Sequence, residues 1–295
     1  MVVAPRAHFS LPLPNRPALK LGARTLVMGV LNVTPDSFSD GGLALDPACA
    51  IERALAMEFA GADIVDVGAE STRPGAEAID AAEEWRRLGP VLKGLAGRLR
   101  LPVSVDTYRA ETARRAFDQG AAIVNDISGL GYDAGLGPMV AARGAALVLM
   151  HTRGRSRAMY REAQYGDVAT DVARELQRTI ERAIGFGVPW DRVVIDPGLG
   201  FAKQAVHSFE ALAATDRFAA LGRPVLVGPS RKSFLTSATG PQPADERDWA
   251  TAAAVTVAVL GGAHIVRVHR VAEMVQVVRV ADAVRNQHVA RSAEL

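Results

Sequence analysis

The chain has 295 residues, a formal net charge of +2 and one cysteine, with 49% hydrophobic and 22% charged residues. That is ordinary globular composition, long enough for one large α/β barrel or two small domains, and it excludes a disordered chain. Cys49 alone allows neither a disulfide framework nor a cysteine zinc site, and suits the reducing cytoplasm. The near-neutral charge excludes a nucleic-acid-wrapping surface. The longest apolar run, 250–263, is too short for a bilayer and carries Gly261 and Gly262, so no membrane partner is expected.

Residues 1–24 carry Arg6, His8 and prolines without a continuous apolar core. They read as an irregular arm laid across the floor of the following domain, not as a secretory signal. Residues 25–285 form one domain, and 286–295 a tail. Eight short β-branched runs occur in it, at 25–33, 64–68, 102–107, 123–126, 146–151, 193–198, 224–230 and 265–269. Alanine-rich segments of helical spacing separate them. Asp46-Pro47 predicts one helix start, and Ile51, Leu55 and Phe59 its apolar face, with Gly61 as its stop. Strand-helix alternation predicts a parallel sheet, and eight units in this length predict a (β/α)₈ TIM barrel. A doubly wound open sheet is the alternative.

The residues at the end of each run carry the chemistry. The runs lead into Asn32 to Gly42, Glu70 to Gly75, Asp106-Thr107, Asn125-Asp126, His151, Asp196-Pro197-Gly198, Ser230-Arg231-Lys232 and Arg267-Val268-His269. In a barrel these ends open on one C-terminal face, where active sites lie. A single Asp, Asn or Ser there is equally a helix cap. Lys, Arg and His do not cap N-termini, so the set as a whole points to a site. Asp106 and Asp196 can accept paired N–H donors of a planar aminopyrimidinone, Asn125 can read a mixed edge, and Lys232 can donate to a ring oxygen or nitrogen. Lysine is scarce, occurring only at 20, 93, 203 and 232.

Arg267 and His269 share one strand face and, with Arg73 and Ser230-Arg231, suit phosphate oxygens. Mg²⁺ would help neutralise such charge while taking few protein ligands, and Asn32 is the candidate oxygen for it. Gly41-Gly42 and Pro74-Gly75 lie in long loops of the kind that close over sites. Phe38 and Phe201 are placed to sandwich a flat ring, or simply pack.

At these residues the sequence resembles the dihydropteroate synthases. Residues 31–42 and 70–76 look like that family's two signature loops. Ser104-Val105-Asp106-Thr107, Asn125 to Gly129, Leu149-Met150-His151, Asp196-Pro197-Gly198, Ser230 to Ser233 and Arg267-Val268-His269 come next in the same order, covering about residues 25–270. The resemblance implies condensation of (7,8-dihydropterin-6-yl)methyl diphosphate with 4-aminobenzoate, giving 7,8-dihydropteroate and diphosphate. It implies that Asp106, Asn125, Asp196 and Lys232 hold the pterin. Arg267 and His269 would hold diphosphate, with Asn32 on Mg²⁺. Thr72, Arg73, Pro74, Phe38, Phe201 and Ser233 would form the aminobenzoate side, where sulfonamides would compete. Asp106, Lys232, Arg267 and His269 are the expected catalytic residues, and a homodimer through the helix at 250–260 is implied. Replacing Arg267 should slow turnover and leave the fold intact.

Three positions depart from the family: Ala202 stands where it reads glycine, Arg270 where it reads aspartate, and Thr152 where it reads methionine. Rival readings are a methyltetrahydrofolate-type methyltransferase, a lyase with a Schiff-base Lys232, and a non-catalytic pterin-binding homologue.

Overall fold

The computed structural model describes residues 3, 6–34, 46–71, 78–154 and 163–293, with side chains to 287. After an N-terminal hairpin, β1 (Phe9–Leu13) and β2 (Arg16–Leu21), the chain alternates strand and helix. The order is β3 (Leu26–Asn32), α1 (Pro47–Phe59), β4 (Ile64–Gly68), α2 (Ala81–Leu95), β5 (Val103–Asp106), α3 (Ala110–Asp118), β6 (Ile123–Asp126), α4 (Leu136–Arg143), β7 (Ala146–Met150) and α5 (Val168–Gly185). It continues with β8 (Val193–Asp196), α6 (Ala205–Ala213), α7 (Thr215–Ala219), β9 (Leu226–Val227), α8 (Thr236–Thr239), α9 (Asp248–Leu260), β10 (Ile265–Val268) and α10 (Val271–Ala293).

The eight strands β3 to β10 form one parallel sheet in the order β8-β7-β6-β5-β4-β3-β10-β9. A bridge between Ile195 and Val225 joins its two ends, which makes the sheet a nearly closed barrel. The open-sheet alternative is thereby excluded.

Successive strand residues point to opposite faces of a sheet. Val65, Val67, Val105, Val124, Leu147, Leu149, Ile195, Val266 and Val268 therefore face the helices, in the larger hydrophobic core. Met28, Ile64, Ile123, Val148, Val194, Leu226 and Ile265 fill the lower barrel interior, in a second core. One pleat further up, the inward positions become polar: Asp66 above Ile64, Asn125 above Ile123, Asp196 above Val194, Arg267 above Ile265. On β4, β6, β8 and β10 this change from apolar to polar builds a floor beneath a polar mouth.

The arm is a hairpin, where an irregular segment was expected. Leu11, Leu13 and Leu21 are buried in the lower core and plug the barrel floor. Pro12 lies where the strand register shifts, a position that tolerates its missing donor. Asn15 comes after Pro14 at φ +55 and closes the turn.

Asp46 caps α1 by accepting from the Ala48 amide, with Pro47 at the first helical position, and Gly61 lies just past its end at φ +96. Phe59 corrects the expected apolar face: it is 96% exposed, while Ala50, Ile51 and Ala54 are buried. Eight residues on from Ile51, the 3.6-residue turn has carried Phe59 about 80° around the helix, out of the contact.

Candidate active site

Six polar side chains converge where the barrel strands end. Asp66 lies inside β4 and is fully buried. Its Oδ2 accepts from Nδ2 of Asn125 on β6 at 2.9 Å and from Nε of Arg267 on β10 at 2.6 Å. Nη2 of Arg267 donates to Oδ2 of Asp106 on β5 at 2.8 Å. Arg267 therefore lies across the barrel mouth between two carboxylates, with Nη1 the guanidinium nitrogen that neither takes. The ring of register partners Gly68, Asp106 and Asn125 sets these residues at one level. Gly68 has to be small, because a Cβ there would stand 3.1 Å from the Cβ of Asp106.

Burial pushes the Asp106 carboxyl up to about 7, against the pull of Arg267 and with the repulsion of Asp66. Asp196 ends β8. Its Oδ1 accepts from the Gly198 amide at 2.7 Å, and burial raises it against the attraction of Lys232. Only glycine fits at 198, since a Cβ would meet the His151 carbonyl oxygen at 2.0 Å. Lys232 donates to the Leu199 carbonyl oxygen and lies 4.1 Å from the centre of the Phe201 ring, a cation–π contact. Burial lowers its ammonium to about 8, opposed by Asp196, helped by Arg267 and opposed by Asp106. The same charges act on all of these groups, which is the electrostatic sign of one cluster.

His269 lies beside Arg267's strand end. Its backbone N donates to Ser230 Oγ at 3.2 Å, and Ser230 Oγ lies 2.9 Å from Nδ1. The Ser230 hydroxyl can donate to Nδ1 or accept from it, so this contact fits either ring tautomer. Ser233, next to Lys232, is exposed at the start of a 3₁₀ turn. Asn32 ends β3, half-buried, with its backbone level with Gly68. Thr72, Arg73, Pro74 and Phe38 lie outside the described residues, as do the glycines at 41, 42 and 75.

Two rim residues do not join the cluster. Arg231, at φ +60, makes a two-pronged ion pair with Asp248 at 2.9 Å, so the left-handed turn sends it away from the mouth and Lys232 into it. A 3₁₀ turn at Ser233–Leu235 and the short α8 come after Ser230-Arg231-Lys232. His151 has both ring nitrogens engaged: Lys203 Nζ lies 2.8 Å from Nδ1, and Nε2 lies 2.9 Å from Glu175. Burial lowers this histidine to about 4 and the Lys203 ammonium to about 7.

Sequence reasoning missed Asp66. A signal was available: it is the one charged residue in Ile64-Val65-Asp66-Val67-Gly68, on the same pleat face as Ile64 and Gly68. Its Oδ1, and Oγ of its register partner Ser104, are buried without a hydrogen-bond partner among the described residues. Arg267 also holds two carboxylates, so its loss is expected to cost stability as well as turnover.

The departures have definite places. Ala202 is buried at φ +47, a left-handed conformation that costs a residue with a Cβ about 1–2 kcal/mol. Arg270 is exposed and paired with Glu273 in the first turn of α10.

Mg²⁺ prefers oxygen ligands and keeps several of its waters. Asn32, with one amide oxygen at the rim and no side-chain hydrogen bond among the described residues, fits such an ion as a single protein ligand. Two surface clefts, of about 520 and 380 Å³, lie along α10 and touch none of the rim residues.

The fold and this cluster define an enzyme-type α/β barrel with a charged, polar mouth at the C-terminal ends of its strands. The chain matches the family described as pterin binding enzyme over residues 28–269. It is 42% identical to a dihydropteroate synthase of Synechocystis over 277 residues, covering 94% of this chain and 96% of that protein. The structure of the Xanthomonas albilineans dihydropteroate synthase with 4-aminobenzoic acid aligns at a TM-score of 0.86 and 39% identity, over 94% of this chain and 99% of that one. The same enzyme in complex with 7,8-dihydropteroate aligns at 0.82 and 36%, over 93% and 99%. The chain belongs to the dihydropteroate synthase family of pterin-binding enzymes, which are transferases of folate biosynthesis.

Proposed function

We propose that this chain joins 4-aminobenzoate to (7,8-dihydropterin-6-yl)methyl diphosphate, forming 7,8-dihydropteroate and releasing diphosphate. The observation that carries the residue roles is the convergence of Asp106, Asn125, Asp196, Lys232 and Arg267, from separate strand ends, on one charged cluster. Asp196 accepts from the paired donors of the pterin's aminopyrimidinone edge. Asn125 reads the neighbouring mixed edge, and Lys232 donates to the ring from above Phe201.

The amine nitrogen of 4-aminobenzoate attacks the pterin methylene carbon, the carbon–oxygen bond to diphosphate breaks, and the amine loses a proton. An aromatic amine is already neutral at pH 7, so the step needs no strong base. What it needs is charge control. Asp106 opposes cationic character growing on the pterin. Arg267, through Nη1, and His269 take up negative charge on the leaving diphosphate. Mg²⁺, held by Asn32, supplies further neutralisation of that group when bound. The same reading gives Thr72, Arg73, Pro74, Phe38, Phe201 and Ser233 the recognition of 4-aminobenzoate, where sulfonamides would compete.

Release of diphosphate on mixing both substrates with Mg²⁺ tests the reading. Release should depend on 4-aminobenzoate; equal release without it would contradict transfer to the amine.

We also assign the chain to the cytoplasm, consistent with a lone free cysteine. Among the described residues no helix is long and apolar enough to cross a membrane. A homodimer through α9 and α10 belongs to the same proposal. Val280 and Val284 are exposed along an apolar cleft between these helices, and Trp249 is exposed near the start of α9. Val280→Glu should then convert a dimer to a monomer in sedimentation.

A further inference from the structure

We infer that Asp66 is a positioning residue that fixes which way the Asn125 amide faces, and that the fixed amide makes the site select a ring N–H over a bare ring nitrogen. The inference rests on the pterin-binding role proposed for this site.

An ionised Asp has only acceptors. Oδ2 of Asp66 lies 2.9 Å from Nδ2 of Asn125, and both residues are buried. Flipping the amide would set its Oδ1 against that oxygen, two electron-rich atoms with no water to intervene. Away from water such a mismatch costs far more than in solvent. Nor can the carboxylate turn aside to relieve it, because Nε of Arg267 grips the same oxygen at 2.6 Å. One hydrogen of Nδ2 is therefore committed to Asp66. The amide oxygen and the second Nδ2 hydrogen remain for a ligand, in a fixed sense.

The perimeter of the ligand supplies the match. With the 2-amino group and N3–H on the carboxylate of Asp196, the next two positions around a 7,8-dihydropterin are N1, which accepts, and N8, which carries a hydrogen. A fixed amide with one donor and one acceptor answers that pair. In the aromatic pterin N8 has lost its hydrogen and presents a lone pair, which the amide oxygen repels. The oxidation state of the ring is thus read by an amide whose sense is set one layer deeper, by a residue that never touches the ligand.

The test is calorimetric binding of 6-hydroxymethyl-7,8-dihydropterin and of 6-hydroxymethylpterin to four proteins: wild type, Asp66→Asn, Asn125→Ala and the double variant. An asparagine at 66 can offer either an oxygen or an N–H, so it releases the constraint. Wild type should favour the dihydro ligand, and the preference should fall about tenfold in each single variant. In the double variant it should fall no further, because both changes remove the same selection. Asp66→Ser, smaller and also able to donate or accept, serves as a second release if Asp66→Asn does not fold. A purely structural role for Asp66 would weaken both ligands alike. An unchanged preference in the Asp66 variants, or in Asn125→Ala, overturns the inference. A wild-type protein that binds neither ligand fails the pterin reading instead.

Discussion

Nε of Arg267 meets Oδ2 of Asp66 at 2.6 Å inside the barrel, across 201 positions of sequence. The same guanidinium reaches Asp106, so one cation from the last strand ties β10 to β4 and β5. Arg267 is thus a structural group as well as an anion ligand.

Arg267→Ala should therefore lower stability as well as turnover. It leaves Asp66 and Asp106 without their cation in a buried setting, which typically costs about 3–5 kcal/mol. Urea unfolding would measure this. A loss under about 1 kcal/mol would mean that the carboxylates find other compensation.

Activity should fall as pH drops through about 7. Burial pushes Asp106 up to about 7, so this carboxylate loses its charge below that value and no longer opposes a cationic pterin. The kcat/KM profile of the wild type should show this limb. Asp106→Asn should be lower by about 10²–10³ and lack the limb. A wild-type profile flat from about pH 6 to 8 would count against the role.

Lys203 makes a prediction about stability rather than activity. Its ammonium, buried beside His151, is held down to about 7 from an ordinary 10.5. Between those values the unfolded chain binds a proton that the folded chain does not, so this group adds stability as pH rises from about 7 towards 10. Below about 7 both states are protonated and the cost of burying the charge is present in full. Lys203→Met should flatten the rise in unfolding free energy over that window, leaving the contribution of Lys232, which is lowered to about 8. Thermal unfolding at several pH values would show an unaltered slope if Lys203 titrates normally.

Ser104→Ala should be tolerated. The hydroxyl is buried without a partner, so removing it deletes an unmet polar group and leaves the methylene packing in place. We expect a change within about 1 kcal/mol, of either sign. A loss of about 2 kcal/mol or more would show that the hydroxyl is bonded in solution.

Removing residues 1–24 should unfold or aggregate the barrel. Leu11, Leu13 and Leu21 cover Met28, Ile64 and Ile123 in the lower core. Burying each leucine is worth about 1.5–3 kcal/mol, a large share of a typical domain's stability. A soluble, cooperatively melting truncated protein would contradict the plug.

The sequence by itself determined the strands, the helices between them, and the residues at the rim. Those features are local: β-branched runs favour extended backbone, and turn residues after each run mark where it ends. The family motifs were legible for the same reason, since each is a contiguous stretch. Tertiary structure alone decided the rest. Asp66 and Ser104 look like any strand residues until the sheet closes and their pleat face becomes the barrel interior. Phe59 fits a loose i+4 stripe on paper, and only packing shows that the contact face of α1 stops at Ala50, Ile51 and Ala54 and leaves Phe59 in solvent. Arg231 and Lys232 are adjacent cations, separated by a left-handed turn that aims one at Asp248 and the other at the site. Which charge meets which is a property of closure, because Coulomb and hydrogen-bond energies depend on distance in space, and a sequence records only distance along the chain.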